Sequence, residues 1–252
     1  MKCQFSNKRT IGFFGGCMRV LGIFLVVFGV LAGEKVSVAV PCYEGHVAFL
    51  RPLLEAYAEQ SRVPDEVVIS LSGCAKIEEG VIEEIEAGWP FEVKVVRWDE
   101  RRTEAENRTA ACLNTTGDVV LTNDADDIPH RQRVEVVTYF MERYPHCMCL
   151  IHTWTEDLNC VIDPAGVGRF FLRHWNDFYR WEMTHSANIA IRRGVLKRVQ
   201  WRNLDWGVDR DFLIRCQKVF HKTMVIDAPL IEYRNELSSY NCSDALIRKE
   251  AL

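Results

Sequence analysis

Four short apolar runs, separated by stretches of helical periodicity, set the frame for what this chain can fold into. Val36 to Val40, Glu66 to Leu71, Phe91 to Val96 and Asp118 to Thr122 are of strand length and rich in β-branched residues. Between them, His46 to Gln60, Ile77 to Ala87 and Thr103 to Leu113 read as helices. Short apolar runs bounded by turn residues and alternating with helices imply βαβ units and a mostly parallel sheet. Strands that are apolar on both faces are expected between two helical layers. Past His130 the pattern loosens. It gives a helix from Arg131 to Tyr144, strands near Cys147 to Trp154 and Asn188 to Ile191, a helix from Asp209 to Phe220, and two short strands near Met224 and Ile231. The expected fold class is α/β, Rossmann-like, with a mostly parallel sheet flanked by helices and a smaller mixed sheet after it. Asn159 to Thr184 is rich in aromatics, among them Phe170, Phe171, Trp175 and Trp181, and core is their expected role, with a sugar-stacking surface as the alternative.

The N-terminus is different. Lys2, Lys8 and Arg9 precede an apolar stretch from Ile11 to Gly33 broken only by Arg19, the pattern of a signal peptide or a signal anchor over residues 1–34. Val30 and Ala32 fit a small-residue cleavage rule, while the stretch counted from Ile11 is long enough to span a bilayer. A buried helix is the competing reading. The expectation is a secretory or membrane-associated protein with a domain over 35–240 and a tail over 241–252. Of the 252 residues, 48% are hydrophobic and 26% charged, so the domain can bury a substantial core. The net charge of −4, with scattered basic residues, gives no nucleic-acid surface. The ten cysteines suit an oxidising compartment, although Cys42, Cys112 and Cys216 read as buried free thiols. Cys147-Met148-Cys149 lacks the second pair that a structural zinc site needs.

The chemistry concentrates in Asn123-Asp124-Ala125-Asp126-Asp127, delivered at the carboxyl end of the fourth strand, where open α/β sheets bind ligands. Three carboxylates within four residues repel one another, and a divalent cation offsets that repulsion while holding a diphosphate. Hard oxygen ligands favour Mg²⁺ or Mn²⁺.

Val38-Ala39-Val40-Pro41-Cys42-Tyr43-Glu44 is the first of several motifs that, in order, resemble family 2 GT-A glycosyltransferases, and it is similar to that family's first strand and nucleotide loop. Ala105-Glu106-Asn107-Arg108-Thr109-Ala110, Thr116-Gly117-Asp118-Val119-Val120-Leu121 and Asp124-Ala125-Asp126-Asp127 resemble its helix, strand and DxD signature. Trp206 to Phe212 resembles a later acidic motif that opens a helix, and Pro229 to Arg234 with Ser238-Ser239 a closing strand and loop. The resemblance implies a nucleotide-sugar pocket lined by Pro41, Tyr43, Glu44, Ser72, Asn107, Asp124 and Ala125. It implies metal binding by Asp126 and Asp124, and Asp209 as the general base of an inverting single displacement, with Asp211 as competitor for that role. It implies a nucleotide-sugar donor and a glycan, glycoprotein or glycolipid acceptor, met on the mixed-sheet side. His185 is a candidate acceptor or phosphate contact and equally a structural histidine. Arg101 and Arg102 lie within reach of a diphosphate or form a solvated pair.

Three positions depart from the family pattern. Ser70-Leu71-Ser72-Gly73 stands where paired acids often contact the base, leaving the nucleotide open. Val208 replaces a glutamate, and Asn235-Glu236 stands where a metal-binding histidine sometimes follows. Asn107-Arg108-Thr109 is one of three glycosylation sequons, and a glycan there would obstruct the implied pocket. Two other functions compete: a nucleotidyltransferase, for which Pro41 to His46 lacks the Gly-rich phosphate loop, and a carbohydrate-binding module, which leaves Asp124, Asp126 and Asp209 unexplained.

Overall fold

The computed structural model describes residues 33–155, 158–174, 185–205 and 207–234. The N-terminal segment, the aromatics from Trp175 to Trp181, Trp206, Asn235, Glu236, Ser238-Ser239 and the C-terminal tail lie outside the described residues. Among the described residues no helix is long and apolar enough to cross a membrane.

In chain order the elements are β1 (Val36–Tyr43), α1 (Val47–Ala58), β2 (Glu66–Ser72), α2 (Glu79–Glu86), β3 (Glu92–Trp98), α3 (Glu104–Leu113), β4 (Val119–Thr122) and β5 (Ile128–Pro129). There follow α4 (Arg133–Arg143), β6 (Cys149–Thr155), β7 (Arg169–Phe171), β8 (Ile189–Arg192), α5 (Val208–Phe220) and β9 (Thr223–Glu232). The strands form one sheet in the order β3-β2-β1-β4-β8-β6-β9-β5, with β7 paired to β9. β3, β2, β1 and β4 run parallel, as the βαβ pattern requires. β8 then joins β4 antiparallel, so the expected mixed part is continuous with the parallel part rather than a separate sheet.

Alternation along the strands builds a core on each face. Val36, Val38, Val40, Val119 and Leu121 pack with Leu50, Leu53 and Tyr57 of α1, Ile82 of α2 and Val134, Val137 and Phe140 of α4. Ala39 and Val120 point the other way, toward Ala111 of α3 and Phe212, Leu213 and Cys216 of α5. α3 starts where Thr103 and Glu106 form a reciprocal capping box. β4 is set against β1 by Glu66, whose carboxylate accepts from Ser37, the Thr116 hydroxyl and the backbone N–H groups of Thr116 and Gly117. Gly117 is required there: a Cβ would lie 2.4 Å from Ser37 Oγ and 2.8 Å from the Lys35 carbonyl.

The structure corrects several expectations. The two strands near Met224 and Ile231 are one strand, β9, running through Pro229, which pairs with Thr153 at a register shift where a ladder N–H is dispensable. β5 and β7 carry no periodic signal and were not expected. Phe170 and Phe171 are not core: they are 44% and 41% exposed on β7. The seven described cysteines are all unpaired thiols. Burial pushes the Cys112 and Cys147 thiols up to about 12, which leaves them inert at neutral pH.

Candidate functional site

The acidic loop leaves β4 beside the end of β1, at the point where chain connections diverge to either side of the sheet. A buried framework sets its shape. Arg133, on α4, is fully buried, and all five of its N–H groups are used. Nη1 donates to Tyr57 Oη at 2.6 Å and to Asn123 Oδ1 at 2.7 Å. Nη2 donates to the Thr122 and Ala187 carbonyls, and Nε to His152 Nε2 at 3.1 Å. His152 accepts that bond as a neutral ring, because burial and the adjacent Arg133 charge hold its pKa well below the ordinary value. Asn123 in turn donates to the Asp124 and Asp127 carbonyls at 2.7 and 3.0 Å, which closes the loop on itself.

This framework presents three carboxylates differently. Asp124 is partly exposed and Asp127 is buried. His185 faces both, with Nε2 3.6 Å from Asp124 Oδ2 and Nδ1 3.7 Å from Asp127 Oδ2. Asp126 lies on the other side of the loop, 3.9 Å from His46 Nδ1. Burial, then the charge of Asp124, pushes Asp126 up to about 6 and Asp127 up to about 8. Asp127 Oδ1 accepts from the Arg234 N–H, but its buried Oδ2 accepts no hydrogen bond.

That orphaned oxygen tests the fit of a cation. Asp124, Asp127 and His185 each offer a ligand atom, and the three atoms lie within 4.8 Å of one another. A hard divalent cation suits two carboxylates and an imidazole, and it removes both the unsatisfied oxygen and the mutual repulsion. The residues therefore fit Mn²⁺ or Mg²⁺. Sequence reasoning placed Asp126 in this role. The structure brings Asp127 and His185 to Asp124 and sets Asp126 beside them, facing His46.

Asp209 opens α5 after Gly207, whose φ of 71° makes the turn into the helix. Its Oδ1 lies 3.2 Å from Arg108 Nη1, and the same guanidinium donates to Asp124 Oδ1 at 2.6 Å and Glu104 Oε1 at 2.7 Å. Burial would lower the Arg108 pKa, but Asp124, Glu104 and Asp209 together hold it well above the ordinary value. Asp209, with its side chain 18% exposed, is pushed up to about 7 by burial against the pull of Arg108. Asp211 faces away. Partial burial opposes its ionisation, yet bonds from Arg202 and Arg215 hold its carboxyl below the usual range. Arg108, Asp127 and His46 escaped the sequence-based choice of site residues; Arg108 stood inside a quoted motif, but nothing marked its charge as buried.

On the nucleotide side, Asn107 is buried. It donates to the Cys42 carbonyl at 2.6 Å and to Ser72 Oγ, and accepts from Ser70 Oγ. Asn107 and Ser72 thus tie β1, β2 and α3 together, and a glycan on Asn107 is incompatible with this fold. Pro41 and Tyr43 are half-buried at the end of β1, Glu44 is exposed and Ala125 is buried within the loop. Arg101 lies over the Tyr43 ring, 4.4 Å from its centroid, and Arg102 over Trp98. Neither is a simple solvated charge.

A 3-2-1-4 parallel sheet with an acidic loop at its divide and a second carboxylate across from it defines a GT-A glycosyltransferase fold. The chain belongs to glycosyl transferase family 2, whose family model matches residues 37–199. Among solved structures, S. aureus TarS 1-349 in complex with UDP is similar with a TM-score of 0.60 at 18% identity, covering 79% of this chain and 60% of that one. The same protein in complex with UDP-GlcNAc matches with a TM-score of 0.62 at 16% identity, covering 83% and 61%. The mannosyltransferase PcManGT from Pyrobaculum calidifontis in complex with GDP-Man and Mn²⁺ matches with a TM-score of 0.55 at 19% identity, covering 79% and 58%. These likenesses show the fold, and the chain spans about three-fifths of the length of these structures. No curated protein sequence matches the chain.

Proposed function

We propose that this domain transfers a sugar from a nucleotide-sugar donor to an acceptor hydroxyl, with inversion by single displacement. The observation that carries the reading is the Arg108 guanidinium, which holds Asp124 of the acidic loop and Asp209 of α5 at one site. Asp209 would accept the proton of the acceptor hydroxyl as its oxygen attacks the anomeric carbon and the nucleoside diphosphate departs. A carboxylate pushed up to about 7 is a stronger base than an ordinary one and is still ionised at mildly alkaline pH. Arg108 keeps Asp209 turned toward the donor loop. Asp124, Asp127 and His185 would hold Mn²⁺ or Mg²⁺, whose chemistry is to neutralise charge on the diphosphate leaving group. Complexes of similar structures with UDP-GlcNAc, and with GDP-Man and Mn²⁺, support this class of donor.

The acceptor side is the mixed part of the sheet, and the acceptor is a glycan, glycoprotein or glycolipid. The N-terminal segment, read as a signal or anchor, would bring the domain to the secretory pathway or a membrane where such acceptors reside. The test is incubation of the full chain with MnCl₂, a panel of nucleotide sugars and acceptor glycans, measuring released nucleoside diphosphate. Absence of turnover and of binding with every donor overturns the proposal.

A further inference from the structure

Arg108 meets its three carboxylates with unequal bonds. Its Nη2 donates to Asp124 Oδ1 at 2.6 Å. Its Nη1 is shared: it donates to Glu104 Oε1 at 2.7 Å and to Asp209 Oδ1 at 3.2 Å. A terminal guanidinium nitrogen carries two N–H groups, so both bonds form at once, but the closer one goes to Glu104. One positive charge thus stands against three negative ones, and Asp209 is the most loosely held of the three.

The fold places Glu104 for this contact. It opens α3 directly after the Thr103 cap, where the helix dipole favours an acid, and it lies one turn before Arg108, so the two side chains meet. The capping box is completed by Thr103 and Glu106, so the helix start does not depend on Glu104. Its side chain is 41% exposed, against 1% for Arg108. A solvated acid therefore acts on a buried cation.

The other groups around Asp209 come from three segments. The loop after β4 brings Asp124, and the segment after β8 brings the Trp201 indole, which lies beside Asp209 without completing a hydrogen bond. On α5 itself Asp211 is turned to Arg202 and Arg215. His185 faces Asp124 and Asp127. Burial is the main cause that pushes Asp209 up to about 7; Arg108 opposes it, and Glu104, then Asp124, add to it.

Resting on the glycosyltransferase reading for the role of Asp209, we propose that Glu104 is a positioning residue for that base. By taking the closer bond from the shared Arg108 nitrogen, it leaves Asp209 loosely paired and more avid for a proton. Glu104 touches no reacting atom in this scheme; it acts through Arg108 and through its own charge. Removing that charge lets Arg108 compensate Asp209 more fully, which favours the ionised form and makes it a weaker base.

The experiment uses Glu104→Gln in the full chain. The amide keeps an oxygen for Arg108 and removes the charge. Two readouts are taken: the pH profile of kcat with MnCl₂ and a turned-over donor, and a carbon-13 NMR titration of the aspartate carboxyls without cation, with the Asp209 signal identified by its loss in Asp209→Asn. The expected result is that both the activity limb and the Asp209 titration move to lower pH by about half a unit or more, with the plateau kcat about twofold or more below wild type. Glu104→Ala, which also removes the hydrogen bond, should move both in the same direction. A role confined to holding Arg108 in place predicts no shift with the amide. An Asp209 titration unmoved in both variants, or moved to higher pH, overturns the proposal. If the wild type turns over no donor, the glycosyltransferase reading fails, and the NMR titration alone still decides whether Glu104 controls the proton on Asp209.

Discussion

Asp124 and Asp209 are tied to the two terminal nitrogens of one buried guanidinium, that of Arg108. The first comes from the loop after β4 and the second from the start of α5, so a single side chain fixes the donor loop relative to the candidate base. Its own side chain is 1% exposed, and each of its ion-pair partners is itself at least partly exposed.

Replacing Arg108 tests this coupling. Arg108→Met leaves Glu104, Asp124 and Asp209 uncompensated, and the expected loss is about 3 kcal/mol or more of stability, read by denaturant unfolding. Arg108→Lys restores charge but not the planar fork that reaches two carboxylates. It should recover much of the stability while kcat stays about tenfold or more below wild type. Full activity in the lysine variant would show that the shared fork is dispensable.

Asp209→Asn should bind donor within about threefold of wild type and lose about a thousandfold in kcat, measured by donor titration beside product formation. Asp211→Asn should leave kcat close to wild type, because its carboxylate faces Arg202 and Arg215. A normal rate in the Asp209 variant would remove the base from this position.

The pH profile follows from the same group. Asp209 must be ionised to accept a proton, and burial pushes its pKa up to about 7. Activity should therefore rise with pH and level off above about 7, and the residual rate of Asp209→Asn should lack that limb. A profile already flat from pH 5 upward would contradict the assignment.

Asp127 gives a stability prediction of definite sign. Its folded pKa, about 8, lies above the ordinary carboxylate value, so the fold favours the protonated form. That contribution is present at low pH and is lost as pH rises through about 8. Without divalent cation, the melting temperature should fall between pH 5.5 and 8.5. Mn²⁺ should raise it, and by more at pH 8.5, where the carboxylate is ionised. Asp127→Asn should raise the cation-free melting temperature at pH 8.5 and lose much of the Mn²⁺ increment. An unchanged Mn²⁺ increment in that variant would exclude Asp127 as a ligand.

What the sequence made legible were the features carried by local pattern. Alternating apolar runs from Val36 to Thr122 gave the parallel sheet, Thr103 to Leu113 read as a helix close to the observed bounds of α3, and Asp124 to Asp127 stood out as an acidic loop after a strand. What stayed hidden depends on contacts between distant segments. Arg108 in sequence is one charge on a helix, and its three carboxylate partners come from α3, the β4 loop and α5. Asp127 differs from Asp126 only in which way the loop turns, and that is set by Asn123 and Arg133. β9 read as two pieces because Pro229 interrupts its pattern, and the register shifts that tolerate the proline, with the extra residues on β9, arise only in its pairing with the distant β6. Phe170 and Phe171 looked like core because hydrophobicity alone does not distinguish an interior strand from an edge.

The antiparallel ladder between β4 and β8, from Val119 with Arg192 to Leu121 with Ala190, has a mechanical consequence. It joins the donor half of the sheet to the half against which α5 packs, within one continuous sheet. A hinge of the kind that lets two-lobed enzymes clamp their ligands would have to break this ladder. The strand that delivers Asp124 and the face against which the helix of Asp209 packs are thus parts of one floor.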